Sequence, residues 1–153
     1  MTRTPTHQDA ELITRLYDLR REARMREARE WFAGSFAPRT LEDFDRLCPR
    51  GSKDNASFRM VIGYWNMVAS FITNEVLHPE LFFETGQELL LTWEKVKPIV
   101  PAFRERAANP FAFRSLEKVA TAYIEWYEAR APEFYPRFAA GVASLAPPSE
   151  AKP

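Results

Sequence analysis

The run from Phe58 to Leu77, FRMVIGYWNMVASFITNEVL, is the most apolar helix-length stretch of the chain. On an ideal helix its polar and small residues fall into one narrow stripe, and the rest of the circumference is apolar as far as Ile72. The stripe consists of Arg59, Gly63, Asn66, Ser70 and Thr73. A helix that is apolar around most of its circumference is packed on several sides. The sequence therefore predicts a central helix over residues 58–77 that the other helices cover.

The flanking segments also have helical patterning. Thr6 with Asp9, and Thr40 with Asp43, have the spacing of a capping box at a helix start. Several segments carry an apolar residue at every third or fourth position, and none alternates apolar and polar residues as a half-buried strand does. We therefore predict an all-α fold, an up-and-down helical bundle of five to six helices around the apolar run.

Length and composition fit one domain. A chain of 153 residues that is 46% hydrophobic can bury about two thirds of its unfolded surface. The last eight residues, APPSEAKP, are too polar and too rich in proline to pack into a core. We predict a single helical domain over residues 1–145 and a disordered tail over residues 146–153.

The balance of charge and the cysteine content narrow the function classes. Lys plus Arg and Asp plus Glu both number 21, so the chain has no net positive field to attract DNA or RNA, and we expect no nucleic-acid partner. The single cysteine, Cys48, excludes an intrachain disulfide and fits a reducing cytosol, and the start of the chain has no secretory signal. The apolar run Met60–Ile72 is too short to cross a bilayer. A cytoplasmic protein without a membrane span is expected.

The N-terminal segment 7–33 is predicted as one charged helix. Its apolar stripe ends at Ala23, and the sequence RREARMREARE from Arg20 to Glu30 is almost entirely charged and helix-forming. Such a run is either a solvated helix face or an arm that projects toward a second subunit. If it projects, Met25 and Ala28 need cover from another chain, which predicts a two-fold symmetric homodimer.

Glu75 is the most informative charged residue of the central run. On a helix over 58–77 it lies nearly opposite Asn66, on the face that is expected to be buried. A buried carboxylate has to be paired or neutral, so we predict a buried ion pair with Arg104, or with Arg106 or Arg114 in its place. The alternative is a carboxylate that belongs to a binding site.

The polar stripe of the central run has two interpretations. The small residues Gly63 and Ser70 let a neighbouring helix approach, and Asn66 can form a hydrogen bond across that contact. Alternatively, Arg59, Asn66 and Ser70 line a ligand pocket between helices. Aromatic walls for such a pocket are available in Tyr64, Trp65, Trp93, Trp126 and Tyr127.

Metal binding and catalysis have little support in the sequence. Glu75 and His78 have the Glu-x-x-His spacing of di-iron bundles, but the only other histidine, His7, has Thr4 at the corresponding position. No Gly-rich phosphate loop, cysteine cluster or nucleotide fingerprint is present. We expect no metal, no cofactor and no enzymatic activity.

Three motifs carry a resemblance to known sequences: NEVLHPEL, then LTWEKVKPIV, then FRERAANPFAFRSLEKVA, with Trp93, Pro98, Arg104 and Glu117 as the recognisable points. Over residues 59–123 the chain resembles an uncharacterised family of small bacterial helical domains of unknown function. The resemblance implies an all-α fold and supplies no chemistry. Many similar sequences carry an N-terminal membrane segment, where this chain has its charged helix.

Two functions from different classes follow. The first is a non-catalytic interaction or scaffold domain, a homodimer that uses the charged N-terminal helix or the Trp/Phe surface. The second is a small-ligand-binding helical bundle with an interhelical pocket near Asn66 or Glu75.

Overall fold

A computed structural model describes residues 3–145, which are helical and contain no strand. The predicted all-α fold is confirmed. The helices of the described residues are α1 (His7–Arg20), α2 (Ala23–Ser35), α3 (Leu41–Leu47), α4 (Lys53–Thr73), α5 (Pro79–Phe83), α6 (Gln87–Val96), α7 (Val100–Arg106), α8 (Arg114–Arg130) and α9 (Phe134–Ser144), with a 3-10 turn over Lys97–Ile99. The predicted five to six helices are too few, because several long segments are interrupted. The predicted disordered tail, 146–153, lies outside the described residues.

Helix α4 packs mainly between α2 and α8. Ser52 caps its start, because the Ser52 hydroxyl accepts a hydrogen bond from the Asn55 amide at 3.1 Å. Val68 and Ala69 are completely buried, and Trp65 is 2% exposed. One hydrophobic core joins these side chains to those of the surrounding helices. No helix within residues 3–145 is long and apolar enough to cross a membrane.

The predicted range 58–77 is wrong at its C-terminal end, because α4 stops at Thr73. The amide of Val76 donates to the carbonyl of Phe71 at 2.8 Å, and the amide of Glu75 donates to the carbonyl of Ile72 at 3.1 Å. These two bonds form a Schellman motif, in which Glu75 takes the left-handed conformation with φ 59°. Glycine is usual at that position, so a sequence with Glu75 there gives no local sign of a helix end.

The predicted single helix over 7–33 is also wrong. It is two helices, α1 and α2, because Glu22 caps α2 by accepting hydrogen bonds from the amides of Arg24 and Met25. The charged run therefore forms a corner and not a projecting arm. Met25 and Ala28 are buried within their own chain, where α2 packs on α4. The homodimer remains a prediction. The surface on which it was based, around Met25 and Ala28, is however already covered by the same chain.

Prolines, and Ala108 with φ 48°, interrupt the helices in the second half of the chain. Pro98 lies in the 3-10 turn, and α7 follows with Pro101 in its first turn. Asn109-Pro110 has the sequence of a helix start, but α8 begins only at Arg114. The Asn109 amide instead closes a Schellman motif at the end of α7 by donating to the carbonyl of Arg104 at 3.0 Å.

Candidate functional site: a pocket beneath the first helix

A pocket of about 280 Å³ lies between α1, α4 and the turn that joins α5 to α6. Its walls are mainly apolar and aromatic: Ile13, Thr14, Leu16, Tyr17 and Arg20 from α1, Tyr64, Trp65 and Val68 from α4, and Phe82, Thr85 and Gly86 from the turn region. A Cβ atom on Gly86 would lie 2.3 Å from the Phe82 ring. Glycine at this position therefore lets the ring lie against the backbone at one side of the pocket.

The pocket exists because α1 packs less closely on the centre of the protein than α2 and α8 do. Leu16, which is 5% exposed, is the only buried apolar residue of α1 in the described structure. On the α4 side of the pocket, the Tyr64 hydroxyl donates to the carbonyl of Leu16 at 2.6 Å. Burial is the main cause that raises the pKa of Tyr64 to about 12, so this hydroxyl stays protonated and keeps its bond at neutral pH.

A carboxylate anchors the N-terminal end of α1. Asp9 is 2% exposed and accepts two hydrogen bonds from the Arg3 guanidinium, at 2.5 and 2.6 Å. It also accepts from the amide and hydroxyl of Thr6 and, at 2.8 Å, from the backbone amide of His78. The bond from Arg3 is the largest cause that holds the pKa of Asp9 well below its usual value. One charged group therefore joins α1 to the start of α5.

An ion-pair cluster anchors the other end of α1. Glu88, in the first turn of α6, accepts from Arg20 at 2.9 Å and from two nitrogens of Arg29 at 2.6 and 2.7 Å. Arg29 also donates to the carbonyl of Arg20 at 3.1 Å, which satisfies the last turn of α1. The hydrogen bond to Glu88 is the main cause that raises the pKa of Arg29. Polar contacts thus hold α1 at both ends, and the pocket lies between them.

Two polar groups in the pocket walls have unused hydrogen-bonding capacity. The Arg20 guanidinium lies 5.3 Å from the Trp65 ring centre and 5.0 Å from that of Tyr17, and its single ion-pair contact in the described residues is to Glu88. The Trp65 indole Nε1–H is buried and has no acceptor among the described residues. A buried donor without an acceptor costs about 1–3 kcal/mol. The pocket therefore combines apolar and aromatic walls with one cationic side chain, that of Arg20.

The structure assigns packing roles to the predicted stripe. The Asn66 side-chain oxygen accepts from the amide of Leu116 at 3.2 Å, in the first turn of α8, so Asn66 forms the predicted bond across a helix contact. The Ser70 hydroxyl donates to the carbonyl of Met67 at 2.6 Å, within its own helix. Arg59 is exposed, and Trp93 is buried in the core. None of these four residues lines the pocket beneath α1.

The predicted pair between Glu75 and Arg104 is wrong. Glu75 is exposed, because α4 ends before it and the chain turns away at the Schellman motif. Arg104 instead donates to Glu117 at 2.6 Å and to the carbonyl of Ala112 at 2.8 Å, and so closes the connection between α7 and α8. Glu75 is not among the residues that line the pocket beneath α1.

The sequence pointed to part of the pocket. Tyr64 and Trp65 were identified as possible aromatic walls, but on the wrong face of their helix. Tyr17 and Arg20 were missed, because they belong to a segment that looks like a solvated charged surface. Their spacing of three residues, which puts an aromatic and a cation side by side on one face of α1, is the signal that could have identified them.

His78 is occupied by structural contacts and is not positioned as a metal ligand. Its Nδ1 accepts from the amide of Leu81 at 3.3 Å, which caps α5, and its Nε2 lies 2.6 Å from the carbonyl of Arg3. Because Nδ1 accepts, Nε2 is the nitrogen that carries the proton. Within residues 3–145, no three His, Cys, Asp or Glu side chains come together in the arrangement of a metal site.

Comparison with known proteins identifies one family. The model of the domain of unknown function DUF4760 matches residues 5–126, which include every helix from α1 to α7 and most of α8. No curated protein and no solved structure matches the chain.

Proposed function

The chain therefore belongs to the DUF4760 family, and from its geometry we propose that it is a non-catalytic binding domain whose ligand site is the pocket beneath α1. The ligand class is a small aromatic or branched apolar molecule with one hydrogen-bond acceptor. The observation that carries this proposal is Trp65, which forms a pocket wall and has a buried Nε1–H without an acceptor.

The size of the pocket limits the ligand. Sites for drug-sized molecules have volumes of about 300–1,000 Å³. At about 280 Å³ the pocket fits a single ring or a short branched chain. Apolar walls favour the body of such a molecule through the area they remove from water. An acceptor that reaches the indole N–H would satisfy a donor that the protein alone leaves unpaired.

The way α1 is held supports access to this site. Regions with few buried apolar contacts open locally at a lower free-energy cost than the core does. Helix α1 contributes one buried apolar side chain, Leu16, with Leu12 and Ile13 partly buried against the core, and its ends are held by hydrogen bonds and ion pairs. Movement of α1 would therefore open the pocket without separating α4 from α2 and α8.

The test compares two ligands of nearly the same shape. Acetophenone has a carbonyl acceptor on a single aromatic ring, and ethylbenzene lacks the acceptor. We expect both to bind saturably in a nitrogen–proton NMR titration that follows the tryptophan indoles, and acetophenone to bind about five-fold or more tightly. In Trp65→Phe the preference for acetophenone should disappear.

Matched substitutions on α1 locate the site. Ile13→Trp adds bulk inside the pocket, so it should abolish binding of both compounds. Ala10→Trp adds the same side chain on the exposed face of the same helix, outside the pocket, and should leave binding unchanged. If Ile13→Trp binds each compound with the same affinity as the wild type does, the proposal is overturned.

Self-association through the N-terminal region stays a prediction, as does a cytoplasmic location. What supports a dimer now is the exposed surface of α1, where Tyr17 is 55% exposed and Leu19 is 51% exposed. Light scattering that gives the mass of one subunit at micromolar concentration would refute self-association. A reducing compartment is supported by the free and buried Cys48.

A further inference from the structure

Lys95 is a buried cation without a carboxylate partner. It lies on α6 with 5% of its surface exposed, and its Nζ donates to the carbonyl of Phe36 at 2.9 Å. No other hydrogen bond and no ion pair to Lys95 is found in the part of the chain that the structure describes. Lysine is almost never buried without a partner, because removing an ammonium from water is costly.

A second cavity, of about 310 Å³, borders this lysine. The loop after α2 forms one wall with Pro38 and Arg39, and α9 forms the opposite wall with small residues such as Ala139 and Val142. The cavity is distinct from the pocket beneath α1, with which it shares no lining residue.

The charges around this cavity do not balance. Arg39, Lys95 and Lys97 line it together with a single carboxylate, that of Glu94. Glu94 is already engaged, because it lies 2.7 Å from the Lys97 ammonium and accepts a hydrogen bond from the Tyr135 hydroxyl. Arg39 and Lys95 therefore remain without a counter-charge among the described residues.

A structural role explains part of this arrangement. Phe36 follows the last residue of α2, so Lys95 places positive charge near the C-terminus of that helix, where the helix dipole favours it. This contact uses one of the three donors of the ammonium. It does not explain why a second cation, Arg39, lies at the same cavity without a partner.

We propose that this cavity binds a phosphate group, with Lys95 as the buried donor and Arg39 at the rim. Both side chains are common phosphate ligands, lysine as a point charge and arginine as a planar fork of donors. The remaining volume, lined by Ala139 and Val142, accommodates the apolar part of a phosphomonoester. Free inorganic phosphate offers the same group without that part.

The pKa of Lys95 provides a way to test the proposal. Burial alone lowers the pKa of Lys95, and the groups that face the same cavity are Glu94, Lys97, Arg39 and the hydroxyl of Tyr135, which hydrogen-bonds Glu94. A bound phosphate favours the ammonium form, so it should raise this pKa. A lysine with only a structural role would titrate at the same pH with and without phosphate.

The experiment follows the Lys95 Cε resonance in protein labelled with carbon-13 lysine, assigned by its loss in Lys95→Met. Inorganic phosphate and phenyl phosphate are the probes, at fixed ionic strength. We expect a saturable shift of this resonance, a rise in the pKa of Lys95 and several-fold weaker binding in Arg39→Gln. Lys118→Met, an exposed lysine outside the cavity, is the matched control and should bind as the wild type does.

Each outcome decides the matter. Tighter binding of phenyl phosphate assigns the site to an organic phosphate, and equal binding assigns it to the free ion. A Lys95 resonance that neither probe moves would overturn the proposal, and so would equal affinity in the wild type and Arg39→Gln. Arg39 is exposed and its substitution leaves the core intact, so this comparison stands even where Lys95→Met does not fold.

Discussion

Helix α4 and helix α1 are held in the protein by different interactions. Apolar side chains bury α4 between α2 and α8. Helix α1, in contrast, is held at its two ends by hydrogen bonds and ion pairs. Apolar packing is not directional and is lost only when the helices separate. Polar anchors depend on pH and on single atoms. The difference indicates that the protein has a rigid core and a more weakly held helix over its pocket.

The largest expected effect is on the core side of this comparison. Leu116 on α8 is completely buried in the core that contains α4. Leu116→Ala should reduce the free energy of unfolding by about 2–5 kcal/mol, because it removes buried methyl groups and leaves a cavity. Urea denaturation measures this loss.

The matched control is on α1. Leu19 is 51% exposed, so Leu19→Ala should change the free energy of unfolding by less than about 0.5 kcal/mol. Similar losses in the two variants would contradict the distinction between the core and α1.

A smaller, pH-dependent effect is expected at the N-terminal anchor. Asp9→Asn removes the charge that binds Arg3 and caps α1. The folded protein holds the pKa of Asp9 below its usual value, so its contribution to stability is present above about pH 3.9 and is lost as the pH falls below that value. The wild type should therefore melt higher than Asp9→Asn at pH 7, and the difference should shrink toward pH 3.

Thermal melts at pH 7, 5 and 3 measure this effect, with Asp18→Asn as the control. Asp18 is on the same helix, and its carboxylate is exposed. A difference between wild type and Asp9→Asn that stays constant from pH 7 to pH 3 would show that the charge of Asp9 does not stabilise α1.

The smallest effect is expected where α4 ends. Glu75 has φ 59°, a conformation that glycine adopts without steric cost. Glu75→Gly should raise the free energy of unfolding by about 1 kcal/mol, and Glu75→Gln should leave it unchanged within about 0.5 kcal/mol. A marked loss of stability in Glu75→Gln would contradict this expectation and favour the buried ion pair that the sequence predicts.

The sequence predicts features that depend on neighbouring residues. Both capping boxes, at Thr6 and Thr40, form as their spacing indicated, because a cap needs only a side chain and an amide three residues away. The apolar run likewise predicted the helix that became α4. Its final residues were misjudged because a left-handed Glu75 is a rare substitute for glycine.

Most features that depend on distant residues were not predicted, although the bond from Asn66 across a helix contact was. The corner between α1 and α2 is held by Glu88, which is 68 residues beyond Arg20 in sequence. Locally, only the cap at Glu22 marks the break, and the sequence did not reveal it because glutamate is not among the preferred N-cap residues and the segment consists of good helix formers. The pocket was not predicted either. Trp65 becomes a pocket wall only because the corner between α1 and α2 places α1 next to α4.

Native-state hydrogen exchange, measured with and without acetophenone, tests most directly whether α1 is a weakly held cover over a binding pocket. The account predicts that the amides of α1 exchange faster than those of α4 in the free protein, and that acetophenone slows exchange in α1 and at Trp65 with little effect on α8. Exchange of α1 and α4 as one unit, unaffected by the ligand, would contradict it.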